Sequence, residues 1–76
     1  MAILVAFTKV WEDADQVEYA FGPNSQMDRR LVINKTARRG APQDGEIDEA
    51  FRAAYYKILY WQERAGHWPA EGSSAS

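Results

Sequence analysis

Ala2-Ile3-Leu4-Val5-Ala6-Phe7-Thr8-Lys9-Val10-Trp11 is the stretch from which the fold is read. Its residues alternate at period two: Ile3, Val5, Phe7 and Trp11 share one side with Lys9 among them, which is the pattern of a β-strand. The opposite side, made of Ala2, Leu4, Ala6, Thr8 and Val10, is nearly as apolar. A strand that is greasy on both faces expects cover on both. The stretch therefore predicts a buried strand and a need for a second covering layer.

Working outward, Glu12-Asp13-Ala14-Asp15 is a polar break of the length that joins antiparallel strands. Gln16 to Phe21 then restarts the alternation, with Val17, Tyr19 and Phe21 set against Glu18 and Ala20. Gly22-Pro23-Asn24-Ser25 is a turn signal, because Gly and Asn tolerate positive φ and Pro presets a turn torsion. A third strand is expected over residues 29–36, where Leu31 and Ile33 share a face with Lys35 while Arg30, Val32 and Asn34 lie opposite. Residues 37–45 have neither period and contain two Gly and a Pro, so they read as an irregular, mobile connection.

Helix signals follow. Asp44 or Gly45 is placed to cap, and Glu46, Asp48 and Glu49 put negative charge where the helix dipole favours it. The pattern predicts a helix running to about Ala65, stopped by Gly66 in a left-handed turn and barred from continuing by Pro69. On a helical wheel Ile47, Ala50, Phe51, Ala54, Ile58, Trp61 and Ala65 form the core arc, with Tyr55 at its border. Tyr56 and Tyr60 fall on the far side. Residues 70–76 have the composition of a disordered tail. The expected fold is α+β, a three-stranded antiparallel β-meander followed by one C-terminal α-helix packed on one sheet face (β-β-β-α). Residues 1–69 would then make a single domain.

Composition narrows the chemistry. The 76 residues include no cysteine and one histidine, which removes disulfides, thiolate metal sites and cysteine nucleophiles. Glu12-Asp13-Asp15 and Asp44-Glu46-Asp48-Glu49 lack the twelve-residue calcium pattern and read as a solvated turn and a helix start. No metal or cofactor is expected. His67 has no evident nucleophile to serve, since Ser25 sits in a turn and Ser73, Ser74 and Ser76 lie in the tail. Gly40-Ala41-Pro42-Gln43-Asp44-Gly45 lacks the Lys-Ser/Thr ending of a phosphate loop. No catalytic residue is assigned, and the chain is not expected to be an enzyme.

Apolar surface carries the functional expectation. A chain this short buries only about 60% of its unfolded surface, and one helix leaves the second sheet face open. Exposed contiguous apolar surface marks a contact site. Leu4 and Val10 on that sheet face, Tyr56 and Tyr60 on the outer helix face, and Trp68 as an anchor are the candidate interface residues, with a symmetric homodimer the expected form and another protein the alternative partner. The first rival is nucleic-acid binding through Arg29, Arg30, Lys35, Arg38 and Arg39, five of the nine basic residues. It ranks behind, because the net charge is −2 and no aromatic stripe is interleaved with the cations. The second rival is a small molecule held at a dimer interface. No apolar run reaches the roughly 20 residues of a membrane span, and residues 1–7 are too short for a secretory leader, so a soluble cytoplasmic chain is expected.

Overall fold

A computed structural model describes residues 4–23 and 26–75. Strands β1 (Leu4–Glu12), β2 (Gln16–Pro23), β3 (Arg29–Asn34) and β4 (Arg39–Pro42) precede helix α1 (Glu49–Ala65), and β5 (Glu71–Ala75) follows it. All pairings are antiparallel, in the order β4-β3-β2-β1-β5. The class is α+β with the helix on one sheet face, but the sheet has five strands where the sequence predicts three. Two segments account for the difference. Part of the supposedly irregular 37–45 connection pairs with β3 as β4, and residues 71–75, expected to be a disordered tail, pair with β1 as β5. Neither shows a period because each is an edge strand of small or polar residues, ordered by its neighbour's ladder and not by its own burial.

Alternation in β2 and β3 is as the sequence predicts: Val17, Tyr19, Phe21, Leu31 and Ile33 are buried beneath the helix together with Val5 and Phe7. β1 departs from it. The register runs Lys9 against Tyr19 and then Trp11 against Glu18, so Val10 is an extra, bulged residue. The extra residue moves Trp11 off the Val5–Phe7 side and places it with Val10 on the outer face. Ile3, expected beside Val5, lies outside the described residues, as do Asn24 and Ser25 of the predicted turn.

Helix α1 starts later than expected. Asp48, with extended backbone, is the N-cap, and its carboxylate accepts from the Phe51 amide; Asp44 and Gly45 lie outside the helix. Gly66, at φ 79°, provides the left-handed end. The buried stripe is Phe51, Ala54 and Ile58, flanked by Ala50, Ala53, Tyr55 and Leu59. Ile47 precedes the helix and is exposed, and so is Trp61. A 17-residue helix is about 25 Å long, and its last turns carry exposed residues beyond the buried stripe. Trp68 takes the core place expected of Trp61: it folds back after the Gly66 stop and is 8% exposed. The return is fixed by two bonds, from the Tyr19 hydroxyl to the Pro69 carbonyl at 2.6 Å and from the Lys9 amide to the Ala70 carbonyl at 2.7 Å. No helix among the described residues is long and apolar enough to cross a membrane.

Candidate functional site

Tyr56 and Tyr60 stand one turn apart on the side of α1 turned away from the sheet, 61% and 46% exposed. With Glu49, Arg52, Ala53, Lys57 and Ser74 they line an open groove of about 400 Å³ between the helix and β5. Ser74 reaches this groove because β5 lies alongside the helix at the sheet edge. The Tyr60 ring is flanked by the Lys57 ammonium and the Arg64 guanidinium, 5.3 and 5.2 Å from its centroid, and Trp61 meets it edge-on at 5.4 Å. Such a surface is apolar in area and cationic at its rim. It suits contact with a surface offering rings, small side chains and carboxylates.

The outer sheet face is the second exposed apolar surface. Leu4 is 46% and Val10 42% exposed there, with Trp11 beside Val10 and the half-buried Ala6, Thr8 and Val32 between strands. Its middle is polar: the Glu18 carboxylate accepts from the Trp11 indole at 2.8 Å and from Arg30 at 3.0 Å. Trp68, proposed from sequence as a contact anchor, is buried in the core and offers no free surface. Leu4 and Val10 therefore share one side of the molecule, and Tyr56 and Tyr60 the other.

The basic segment is largely neutralised within the chain. Arg29 reaches Asp44 at 2.8 Å, Asp48 at 2.9 Å and the Glu46 carbonyl at 2.8 Å, while its guanidinium lies 4.7 Å from the centre of the Phe21 ring. Arg30 pairs with Glu18, and Lys35 with Glu12 at 2.5 Å and the Asp13 carbonyl at 2.6 Å. Arg38 bonds Gln62 and lies 3.7 Å from Glu63. Arg39 alone of the five makes no ion pair among the described residues. The two acidic clusters are the counterpart of this network. Hydrogen bonds from Lys35 and Lys9 hold Glu12 below its usual range. Amides of Gln16 and Asp15 do the same for Asp13. Arg29 and the Glu46 amide lower Asp44, and the Phe51 amide and Arg29 lower Asp48.

His67 is exposed, and its Nδ1 lies 3.4 Å from the Trp68 carbonyl oxygen. Ser73 and Ser74 belong to β5; Ser25 and Ser76 lie outside the described residues. Among the described residues no group of three or more His, Asp or Glu is placed to hold a metal ion. The wall that sequence reasoning missed is β5. Nothing in its own sequence marked it, since Glu71-Gly72-Ser73-Ser74-Ala75 carries no apolar alternation. No protein-family model, curated protein or solved structure matches the chain.

Proposed function

We propose that this protein is a small non-catalytic interaction or assembly module that self-associates as a dimer in the cytoplasm. The contact includes the outer helix face. The observation that carries the reading is the exposed Tyr56–Tyr60 row, continuous with the groove beside β5. Large rings bring contact area at low entropy cost and dominate interface hot spots. The outer sheet face around Leu4 and Val10 is the alternative surface, but its centre is occupied by the Trp11–Glu18–Arg30 group, whose burial would cost desolvation. Phosphate binding by the Arg29–Arg39 segment is disfavoured, because a phosphate would have to displace carboxylates already bonded to Arg29, Arg30 and Lys35.

Light scattering over a concentration series tests the reading, together with the double substitution Tyr56→Ser/Tyr60→Ser. The mass should rise with concentration for the wild-type chain, and the double variant should weaken association by about thirtyfold or more. The circular dichroism spectrum should be unchanged, since neither ring belongs to the core cluster. A mass independent of the double substitution removes the helix-face contact. A second reading, a small ligand held in the groove, is favoured by its volume, which lies in the range of small-molecule sites. A ligand-induced rise in melting temperature that is lost in the double variant would support it.

A further inference from the structure

We propose that the two copies join through the free edge of β5, antiparallel to itself about a two-fold axis at Ser73, so that the two sheets become one. This deepens the self-association reading and rests on it. Which main-chain groups of β5 point outward follows from register. β1 and β5 pair Leu4 with Ala75, Val5 with Ser74, Ala6 with Ser73, Phe7 with Gly72 and Thr8 with Glu71. The Lys9 amide bonds the Ala70 carbonyl in the same register. Hydrogen-bonded and non-hydrogen-bonded pairs alternate in an antiparallel ladder, so Gly72 and Ser74 bond inward to β1. Glu71, Ser73 and Ala75 turn their N–H and C=O groups to the outside. No strand among the described residues pairs with that edge.

The other edge of the sheet is protected and this one is not. β4 is four residues long, carries Arg39 and ends in Pro42, which has no amide to offer. β5 carries Glu71 as its one charge, with Gly72, Ser73 and Ser74 small enough for close approach. A two-fold axis at Ser73 brings each outward residue into a hydrogen-bonded pair, Ser73 with its own copy and Glu71 with Ala75, in a ladder of about six main-chain bonds.

A second copy fits better than a foreign strand because the helix surface is also self-complementary. A two-fold axis perpendicular to the sheet keeps both helices on one face and runs them antiparallel. Glu49 lies in the first turn of α1 and Arg64 in the last, so each acidic start comes beside the other's basic end. Each helix packs over β5, β1 and β2 and so centres on β1, which puts the two axes about 14 Å apart, three strand spacings of about 4.8 Å. That exceeds the 8–10 Å of direct helix contact. The groove beside β5, rimmed by Tyr56 and Tyr60, opens into the trough between the two helices.

Two substitutions in the full chain test the pairing. The chain has no cysteine, so Ser73→Cys introduces a single thiol. Mild oxidation should convert most of that variant to a covalent dimer, since paired strand residues have Cα atoms within disulfide reach. Thr36→Cys, on the exposed β3–β4 turn, should crosslink at least tenfold more slowly. Ser73→Pro removes an outward amide and leaves the β1 ladder whole; it should raise the dimer dissociation constant at least about thirtyfold with unchanged circular dichroism. If the wild-type chain self-associates while both Ser73 variants behave like their controls, β5 pairing is wrong and the contact lies elsewhere. If the wild-type chain stays monomeric throughout, the self-association reading falls and the pairing falls with it.

Discussion

Tyr19 is fully buried, yet its hydroxyl has a partner 50 residues away in the Pro69 carbonyl, and that bond closes the return from α1 to β5. Burial pushes the phenol well above its usual pKa, so it stays a donor throughout the neutral range. Tyr19→Phe keeps the ring and its edge-on contact with Phe7 but leaves a buried carbonyl without its donor. We expect a loss of about 1–3 kcal/mol by urea unfolding, with faster amide exchange at Gly72 and Ser74. A loss below about 0.5 kcal/mol, within the ordinary scatter of surface substitutions, would show that the bond does not hold the return. Gly72 is the second such residue. A Cβ there would come within 2.6 Å of the Phe7 ring, so Gly72→Ala should destabilise by about 1–3 kcal/mol while Ser73→Ala stays near neutral. Equal melting temperatures for the two variants would contradict this packing.

At the scale of elements, two carboxylate clusters fasten the loops to the sheet. The Glu12 carboxylate and the Asp13 carbonyl tie the β1–β2 turn to Lys35, the Asp13 carboxylate closes that turn on the Asp15 and Gln16 amides, and Asp44 and Asp48 tie the helix start to Arg29. All four carboxyl groups are held below their usual pKa in the folded chain. A depressed folded pKa contributes stability that is present above the unfolded value of about 4 and is lost as the pH falls through the folded values. The urea midpoint should therefore be level from pH 7 to about 5 and drop below about pH 4. Asp48→Asn, which keeps a capping oxygen, should flatten part of that drop. An identical midpoint at pH 7 and pH 2.5 would show the clusters to be energetically idle. These elements also show what was readable beforehand. β2 and β3 alternate because one face is buried, so their register is written in Val17, Tyr19, Phe21, Leu31 and Ile33. Arg39–Pro42 and Glu71–Ala75 contain no such face, and they become strands only when β3 and β1 present an open ladder.

For the whole molecule, the consequence is linkage between stability and concentration. If two copies share the β5 edge, folding and association are coupled, and the melting temperature should rise by several degrees over a hundredfold range of protein concentration. A concentration-independent transition would count against the dimer. The −2 net charge and the internal pairing of the Arg29–Arg39 cations lead to a companion expectation. Neither DNA nor RNA should be retarded at about 50 mM salt, where even weak phosphate binding is favoured.

The sequence by itself determined the α+β class, the helix and its left-handed stop, the core faces of β2 and β3, and the outward placement of Tyr56 and Tyr60. Each of these is a local matter of periodicity or capping. Tertiary structure alone decided that Trp68 and not Trp61 fills the core, that a bulge at Val10 turns Trp11 outward, and that the sheet gains β4 and β5. For β5 and Trp68 the deciding partner is distant in the chain, β1 for the one and the sheet core for the other, so no window of neighbouring residues contains it. For β4 and the bulge the partner is a hairpin neighbour, but main-chain pairing sets the outcome and leaves no mark in side-chain periodicity.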